Sequence, residues 1–598
     1  MSGELVNSVV EYLRGSYNAS EIIVVEAPPG YGKSTSVPLL ASELHEIGVS
    51  RNLIHVLPLR AIISDIYRNF YLAAFDPQKS DARLKIAREA FERMGVGEGD
   101  VAYQMCMDLM FREYGSGNRL SIKAQKSPAF DARAIVTTLD SFAYNMMRVP
   151  VIDSFRSVKR YAILRARILA SSVFLDEAHM ILRYPEDEST GKMLCFLRKL
   201  IEYSLSARIP LVVMSATLGS VFKQKLVEWS NQRLRIFTLG QEWKKEGRTL
   251  VLKDANFLDW AKKISWKTEL TEEEKVVEKA KELVYSGKRV LIVRDSVRKA
   301  MESYRALKDE VNAVLIHGQL TLRDRTIATH RIEELQRGCS RGFAVVATPV
   351  VEAGVNWDFD AAFRDATNTF SLVQVAGRVC RRIKDPGEEG EVYLITHEGS
   401  NRRLVNFVSS VNIEGSRIDW RIPFDYNDGG KVYGYERIID LQEGLDRLHE
   451  EGVDVYEVLF FAFMLPSRNI SALEEEMNYS LLREPLTHFF VGRPEDLRDS
   501  ELGEIVDRTV TYGLSLLRRL QDKIRGFAAV GIYRDESGKY LGVEVLTCKE
   551  APKEERDYSR MSKELIRKLV AMDAEPLLTC YILDEGAYEE GIGFRFGG

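Results

Sequence analysis

Short apolar runs rich in β-branched residues alternate with longer amphipathic stretches over roughly the first two thirds of the chain. Uninterrupted apolar runs are typical of strands that are buried on both faces, and apolar positions at helical spacing predict the helices that cover them. A first series of strands is predicted at EIIVVEA, NLIHVLPL, RAIVTTLD, SSVFLDEA and PLVVMSAT. A second series is predicted at RVLIVRD, NAVLIHG, FAVVATPVV, AAFRDAT and EVYLITH. The pattern therefore predicts an α/β protein with two tandem, doubly wound parallel sheets.

The two series are separated by a charged stretch of low apolar content, and the pattern changes again beyond about residue 400. We predict a first domain at 1–235, a linker at 236–270, a second domain at 271–405 and a C-terminal α+β accessory region at 406–598. The second domain is expected to begin with the helix TEEEKVVEKAKELVYSGK, in which Thr271 and Glu274 fit a capping box and Gly287 fits a C-cap.

The accessory region carries mixed patterns. Apolar and charged positions at helical spacing predict helices over 437–525, for example at 501–524. The segment GFAAVGIYRDESGKYLGVEVLT predicts a β-hairpin, and LLTCYILDEG and GIGFRF predict further strands. None of these segments contains a motif that carries chemistry by itself.

Composition narrows the class of protein. The chain has 598 residues, of which 45% are hydrophobic and 29% charged, as in ordinary globular proteins. No stretch approaches the roughly twenty apolar residues of a membrane span, so we expect a cytoplasmic protein with no membrane partner. The net charge of −5 argues against non-specific coating of nucleic acid, and a DNA or RNA contact is expected in a local groove.

Residues 21–35, EIIVVEAPPGYGKST, predict a strand, a phosphate-binding loop and the start of a helix. Gly30 and Gly32 let backbone N–H groups converge on a triphosphate, and the helix adds its positive N-terminal end. Lys33 can reach the β- and γ-phosphates, and the Ser34 hydroxyl can hold Mg²⁺. The predicted nucleotide-binding residues of the loop are Ala27, Pro28, Pro29, Gly30, Tyr31, Gly32, Lys33, Ser34 and Thr35. Ala27 replaces the usual first Gly, and an ordinary Gly- and Pro-rich turn is the alternative interpretation.

Residues 174–180, FLDEAHM, follow a buried strand. Asp176 is predicted to hold Mg²⁺, and Glu177 to orient and deprotonate the attacking water. His179 is expected to form a hydrogen bond across a cleft, whereas a helix cap is the alternative interpretation of this motif. The following MSATLGS, with Ser215 and Thr217, is a weak signal alone and gains weight from its position after the other two motifs.

Residues 370–382, FSLVQVAGRVCRR, belong to the second domain. Arg378 and Arg381 lie three positions apart on one helix face, where both can reach the γ-phosphate as arginine fingers. Gln374 lies one turn earlier and is predicted to contact the same phosphate. A solvated basic helix face is the alternative interpretation. Because only the first domain carries a phosphate loop, we expect ATP to join the two domains.

In this order, APPGYGKST, PLRAIISD, TTLDSF, LDEAH, SATL, VATPVVEAGVNWDFD and QVAGRVCRR resemble the motifs of superfamily 2 helicases. Within that superfamily, residues 348–360, with Glu352, Asp358 and Asp360, most resemble the CRISPR-associated helicase of type I interference systems. The resemblance implies two RecA-like domains, nucleotide contacts from Gly354 and Asn356, and the cofactors ATP and Mg²⁺. It also implies 3′-to-5′ movement on single-stranded DNA, unwinding a target that an RNA-guided CRISPR surveillance complex has opened.

The sequence departs from that family in three respects. None of its eight His is followed by Asp, so we expect an HD-type nuclease to be a separate partner subunit. No Gln precedes Gln78, so the usual adenine-contacting Gln before the phosphate loop is absent. Asn356 replaces an Asp that usually contacts the ribose, and Val375 stands where the last motif often has Arg. Hydrolysis is nevertheless expected, because the principal catalytic residues are present.

Single-stranded nucleic acid is expected on loops at the rim opposite the ATP motifs. The expected contacts are Pro58, Arg60, Thr137, Thr138, His317, Gly318 and Thr348. These loops offer backbone N–H groups, hydroxyls and an Arg to phosphates, so binding should be independent of base sequence and weaken with salt. Two alternatives remain: another superfamily 2 RNA or DNA-repair helicase, and a non-enzymatic ATP-gated clamp.

Overall fold

The computed structural model describes residues 3–58, 60–79, 81–105, 113–114, 120–121, 127, 130–146, 166–182, 188–338, 342–352, 357–382, 387–445, 486–534 and 540–595. No helix within these ranges is long and apolar enough to cross a membrane. Two large parallel-dominated sheets form the centre of the protein, which confirms the predicted α/β fold class.

The first sheet contains the five strands predicted for the first series and four more. Its strands are β1 (Ile22–Glu26), β2 (Asn52–Leu57), β3 (Val101–Gln104), β4 (Ala134–Thr138), β5 (Ser171–Leu175), β6 (Leu211–Ser215), β7 (Leu234–Leu239), β8 (Lys244–Glu246) and β9 (Thr249–Leu252). Their spatial order is β8-β9-β7-β1-β6-β5-β2-β4-β3, and only β8 runs antiparallel to its neighbour. The strand that leads into the phosphate loop therefore lies beside the strand that ends at Ser215.

The second sheet contains the five strands predicted for the second series and one more. Its strands are β10 (Ile264–Glu272), β11 (Arg289–Val293), β12 (Ala313–Ile316), β13 (Phe343–Ala347), β14 (Ala361–Asp365) and β15 (Glu388–Thr396). All pair in parallel, in the order β10-β15-β14-β11-β13-β12. Strand order reverses within both sheets, which is the topology that places ligands at the carboxyl ends of strands.

Amphipathic helices cover both sheets. Those of the first sheet are α1 (Glu4–Ser16), α2 (Lys33–Glu46), α3 (Arg60–Asp65), α4 (Ala82–Met94), α5 (Leu139–Met146), α6 (Glu188–Ala207) and α7 (Gly219–Trp229). Those after it are α8 (Ala255–Ala261), α9 (Val276–Tyr285), α10 (Val297–Leu307), α11 (Leu322–Gly338), α12 (Thr369–Ala376) and α13 (Arg402–Ile413). Apolar side chains from both sheets share one core cluster, which includes Val24 and Val213 on one side and Leu291 and Val345 on the other.

The segment 236–270 is more structured than the linker predicted there. Its first part continues β7 and adds β8 and β9 to the edge of the first sheet, and its last part is β10 of the second sheet. Because β10 extends to Glu272, the predicted capping box at Thr271 is wrong: a 3₁₀ turn at Glu273–Lys275 precedes α9. Gly287 follows the helix with a φ of 92°, as expected for a residue past a helix end.

Residues 402–445 belong to the central core, although the sequence predicted an accessory region from 406. A small sheet comprises β16 (Arg417–Asp419), β17 (Tyr426–Asn427) and β18 (Lys431–Gly434), and α14 (Tyr435–Ile439) follows it. The first and second sheets with their helices are called the first and second lobe below. Side chains of this segment pack on both: Ile422 joins a core cluster of the first lobe, and Ile438 joins the cluster that the two lobes share. Residues 417–440, which contain the small sheet and α14, are called the bridge below.

The described C-terminal residues form a separate sheet, so after residue 486 the prediction of helices over 437–525 is confirmed only for three short helices, which strands interrupt. The strands are β19 (Leu486–Val491), β20 (Thr509–Gly513), β21 (Ile524–Arg534), β22 (Tyr540–Cys548) and β23 (Glu575–Leu583), in the order β20-β19-β23-β21-β22. Short helices α15 (Pro494–Asp499), α16 (Leu502–Asp507) and α17 (Leu517–Leu520) occupy the turns, and α18 (Glu555–Ala571) packs on the sheet. The predicted hairpin is present as β21 and β22, and β24 (Tyr588–Glu589) pairs with β25 (Gly593–Phe594).

Candidate active site

The loop between β1 and α2 has the backbone of a phosphate cradle. Gly30 and Gly32 adopt φ values of 82° and 99°, which residues with a side chain rarely adopt. Lys33 is buried, and its ammonium donates hydrogen bonds to the carbonyl oxygens of Ala27 (2.6 Å) and Pro28 (3.1 Å). Burial lowers the pKa of Lys33 although neighbouring carboxylates oppose this shift. The loop carbonyls thus hold the Lys33 ammonium in place.

The remaining loop residues are anchored to their surroundings. The N–H of Ala27 donates to the carbonyl oxygen of Ser215 (3.1 Å), which ties the loop to the end of β6. The hydroxyl of Thr35 donates to the carbonyl of Gly32 (2.9 Å), and the hydroxyl of Tyr31 donates to Oδ2 of Asp254 (2.5 Å). Both ends of the cradle are therefore fixed.

Asp176 lies at the carboxyl end of β5 and is fully buried. Its Oδ1 accepts a hydrogen bond from the N–H of Glu177 (2.9 Å), and its Oδ2 lies 3.3 Å from Nε2 of His55. Burial opposes ionisation, but hydrogen bonds from His55 and Ser34 outweigh it and lower the pKa of Asp176. An ionised carboxylate that touches the hydroxyl of Ser34 is an oxygen-ligand pair suited to Mg²⁺. The residues predicted to hold that ion therefore fit it.

Glu177 follows with a positive φ of 52°. Burial, reinforced by the charge of Asp176 and opposed by Lys33, raises the pKa of Glu177 to about 7. Its Oε2 has no hydrogen-bond partner among the described residues and lies 3.5 Å from Nδ1 of His179. Such a carboxyl group is poised to accept a proton near neutral pH.

His179 connects the two lobes. Its Nδ1 is 3.0 Å from the hydroxyl of Ser215, and its Nε2 is 3.4 Å from the side-chain nitrogen of Gln374 on α12. Its ring also stacks on Phe370, with centroids 6.5 Å apart. In turn, the N–H of Thr217 donates to the hydroxyl of Ser215 (3.1 Å). The hydrogen bond across the cleft that the sequence predicts for His179 is present, and its partner is Gln374.

The segment that carries the predicted arginine fingers packs directly on the phosphate loop. A Cβ added at Gly377 would lie 3.0 Å from Cβ of Pro29. Arg378 is buried, and its guanidinium donates to the carbonyl oxygen of Glu352 (2.5 Å). Burial and the charge of Arg381 lower the pKa of Arg378 to about 9, although Glu177 opposes this.

Arg381 faces the same crevice. Its N–H donates to Oδ1 of Asp358 (2.7 Å), and burial together with the charge of Arg382 lowers the pKa of its guanidinium. The charge of Arg381 also acts on Lys33, and both arginines act on Glu177. The structure therefore brings Lys33 and the two arginines to one crevice. Gly354 and Asn356, predicted to touch nucleotide, lie outside the described residues.

The predicted nucleic-acid contacts are less open than expected. Pro58 and Thr348 are buried, and the side chain of Arg60 lies outside the described residues. The hydroxyl of Thr137 donates to the carbonyl of Gln104 (2.8 Å), and that of Thr138 accepts from the N–H of Ser141 (3.1 Å). These threonine hydroxyls are engaged within the lobe, so only a rearrangement would present them to phosphate.

His317 and Gly318 lie under the C-terminal region. Nε2 of His317 donates to the carbonyl of Ile592 (2.7 Å), and a Cβ at Gly318 would lie 3.2 Å from the ring of Tyr512. These two predicted contacts are therefore covered in this conformation. No local pattern predicts this docking, because the covering residues Tyr512 and Ile592 come more than 190 positions later in the chain.

Sequence reasoning also missed two acidic residues of the site. Asp65, at the end of α3, is influenced by the charges of both arginines; burial nonetheless raises its pKa. Glu26, the last residue of β1, contacts the ammonium of Lys223 at 3.0 Å, which in turn lies 2.9 Å from Glu436 of the bridge. The available signal was an acidic residue within a motif: Glu26 lies in EIIVVEAPPGYGKST, and Asp65 ends PLRAIISD.

Comparisons with known proteins agree with this architecture. Residues 286–384 match the family model described as CRISPR-associated nuclease/helicase Cas3, C-terminal. A CRISPR-associated nuclease/helicase Cas3 of Methanothermobacter thermautotrophicus is 25% identical over 402 residues, covering 65% of this chain and 42% of that protein. A putative Cas3 of Methanocaldococcus jannaschii is 24% identical over 382 residues, covering 63% of this chain and 47% of that protein. The chain spans less than half the length of both relatives.

Solved structures share the fold. The T. fusca Cas3-ATP crystal structure has a TM-score of 0.58 at 15% identity, covering 99% of this chain and 69% of that one. The T. fusca Cas3 crystal structure has a TM-score of 0.56 at 16% identity, covering 88% and 65%. The matched C-terminal family model and the two archaeal relatives make the chain similar to CRISPR-associated Cas3 helicases, and these solved structures share its fold.

Proposed function

We propose that this protein hydrolyses ATP in the crevice between its lobes and uses the cycle to move 3′ to 5′ along single-stranded DNA. The observation that carries the proposal is the contact of Gly377 with Pro29, which brings the arginine segment of one lobe onto the phosphate loop of the other. A nucleotide in this crevice would meet Lys33 from one side and Arg378 from the other. Loss of the γ-phosphate would remove the charge that joins them and let the cleft open.

The hydrolytic step uses groups of both lobes. Water attacks the γ-phosphorus, the bond to the β,γ-bridging oxygen breaks, and the water proton passes to the carboxylate of Glu177. Arg378 and Arg381 stabilise the charge that develops on the γ-phosphoryl oxygens. Ser34 and Asp176 would hold Mg²⁺, which when bound supplies neutralisation of phosphate charge.

The Gln374–His179 contact gives the step a route to the rest of the molecule. Gln374 lies one turn before Arg378 on the segment that would meet the phosphate, and His179 contacts Ser215, whose carbonyl holds the phosphate loop. A change in the position of α12 therefore reaches β6 and the loops that follow it. We propose that this is how the state of the nucleotide alters the grip on DNA.

Phosphate release with and without single-stranded DNA tests the proposal. We expect DNA to stimulate turnover, Lys33→Ala to abolish it, and Arg378→Ala to lower it by about 10²-fold or more. Arg298→Ala changes an exposed arginine of the second lobe, which also carries Arg378. It is the control and should retain the parental rate. Nucleotide binding without any turnover would instead indicate an ATP-gated clamp.

Duplexes with a 3′ or a 5′ single-stranded tail test polarity and substrate. We expect unwinding only from a 3′ DNA tail, and binding that weakens with salt because phosphates are the contacts. Preference for RNA tails would indicate another superfamily 2 helicase. The separate nuclease subunit and the RNA-guided surveillance complex remain predicted partners. Pull-down assays with each purified candidate would test them.

A further inference from the structure

A histidine interrupts the apolar strand β2. His55 lies between Ile54 and Val56, is fully buried, and pairs across the sheet with Phe174 of β5. Burying an imidazole costs free energy unless its nitrogens are hydrogen-bonded. An apolar residue would be the cheaper choice for the strand itself, so the polar ring must be explained by its partners.

Both ring nitrogens of His55 have partners, and these fix its tautomer. Nε2 lies 3.3 Å from Oδ2 of Asp176, and Nδ1 lies 3.0 Å from the hydroxyl of Tyr71. A carboxylate oxygen accepts hydrogen bonds, so in this contact Nε2 is the donor and carries the proton. Nδ1 is then an acceptor, and Tyr71 donates its hydroxyl proton to it. The result is a directed chain from Tyr71 through His55 to Asp176.

Tyr71 reaches this position through an irregular helix. It ends a π-helical turn, Ile66–Tyr71, that follows α3. Such turns are rare and occur often at functional sites. The phenol ring is fully buried and packs edge-on against Phe91, with centroids 5.4 Å apart, so its hydroxyl is held in place.

We propose that Tyr71 and His55 are positioning residues that hold the Asp176 carboxylate in the orientation needed to bind the divalent cation. Neither side chain would touch the cation or the nucleotide. His55 contacts Oδ2, the N–H of Glu177 donates to Oδ1, and the hydroxyl of Ser34 also bonds to this carboxylate, so its plane is fixed. This inference rests on the proposed function, since it concerns the same nucleotide site.

The effect should appear in metal affinity. Removing a partner that orients a metal-binding side chain lowers the affinity for the metal by about 10–100-fold. The readout is the dissociation constant of Mn²⁺ in the complex with a non-hydrolysable ATP analogue, followed by electron paramagnetic resonance. Affinity for the same analogue in EDTA reports on the nucleotide site without metal, and it should stay unchanged.

Three variants test the hydrogen bonds that run from Tyr71 through His55 to Asp176. His55→Leu removes the donor to Asp176 and should weaken Mn²⁺ about 10–100-fold. His55→Gln keeps an amide donor near the position of Nε2 and should recover most of the affinity. Tyr71→Phe leaves the imidazole in place without its orienting donor and should cost less than His55→Leu. The conservative pair keeps the test usable if His55→Leu does not fold.

Tyr17→Phe is the matched control. Tyr17 is another buried tyrosine of the first lobe, and its hydroxyl has no hydrogen-bond partner among the described residues. It should bind Mn²⁺ as the parent does. Parental Mn²⁺ affinity in folded His55→Leu, or equal losses in Tyr17→Phe and Tyr71→Phe, would overturn the inference. A parent that binds no nucleotide would instead overturn the proposed function and, with it, this role.

Discussion

Glu177 combines a left-handed backbone with a carboxyl group whose Oε2 is buried, and both cost free energy. A non-glycine residue at a φ of 52° is strained, and strain of this kind is retained where the surrounding structure imposes it. The raised pKa of about 7 means that the folded protein holds this proton more tightly than the unfolded chain does. The stability that this group contributes is therefore complete below its ordinary value of 4.5 and is lost as the pH rises through 7.

Two opposite effects are expected from Glu177→Gln. Phosphate release should fall by about 10²–10⁴-fold, because the proton acceptor is removed. The melting temperature should rise at pH 8, where the parent buries a charge, and change little at pH 4.5. In the parent, the turnover rate should climb as the pH rises through 7.

Phosphate-release assays and thermal unfolding at the two pH values check this prediction. Glu11→Gln, at an exposed position of α1, serves as the control for loss of a carboxylate. A melting temperature of Glu177→Gln that falls at pH 8 would contradict the assignment of a raised pKa.

Among helices and strands, the sequence predicts an element correctly where a continuous apolar run marks a buried strand. Strands β1, β5 and β13 are mostly apolar and buried at every position, because helices cover both sides of the sheets. Sequence reasoning fails at β10, whose exposed and half-buried positions resemble a solvated connection, so that edge strand was predicted as linker and helix. It also missed Pro29 against Gly377, because contacts between distant segments leave no local pattern.

Gly377 sets how closely the arginine segment approaches the phosphate loop. Gly377→Val places branched carbons against Pro29, where even a Cβ has only 3.0 Å. We expect the cleft to close less completely, so that phosphate release falls about 10-fold or more while nucleotide binding in the first lobe persists. Gly338→Val, at the end of α11 with open space around the added Cβ, is the control and should retain activity. Equal rates in both variants would mean that the contact does not govern closure.

The bridge supplies a second link between elements. Lys223 of α7 lies between Glu26 and Glu436, and Glu26 is almost fully buried. Lys223→Met leaves the buried carboxylate without its cation, so the free energy of unfolding should fall by about 3 kcal/mol. Lys225→Met, on the same helix, loses only an ammonium 5.6 Å from the ring of Trp229 and should cost less than about 1 kcal/mol. Urea titrations compare the two, and equal losses would contradict the role of Lys223.

Over the whole molecule, the C-terminal region is docked on the second lobe by polar contacts. The hydroxyl of Tyr588 donates to Oδ2 of Asp324 (2.7 Å) and accepts from the N–H of Thr321 (2.8 Å). Ile592 joins the core of the second lobe, and its carbonyl accepts from His317. Burial lowers the pKa of His317 to about 4, so this contact keeps its neutral imidazole throughout the physiological range. The predicted contact of residues 317 and 318 with nucleic acid would therefore require the C-terminal region to move.

Gly593 is the position at which this docking is most easily tested. Its φ is 118°, and an added Cβ would lie 2.8 Å from Cε1 of His317. Gly593→Ala should therefore separate the β24–β25 pair from the second lobe and raise amide exchange at Gln319 by about 10-fold or more, because the Gln319 N–H bonds to the His317 ring. Gly591→Ala carries similar backbone strain, at a φ of 72°, but its Cβ meets open space, so exchange at Gln319 should stay slow. Hydrogen-exchange mass spectrometry separates the two: if both variants exchange alike, strain rather than the contact with His317 controls this rim. If only Gly593→Ala opens it, the same variant should bind single-stranded DNA differently from the parent, because the C-terminal region decides whether the rim of the second lobe is exposed.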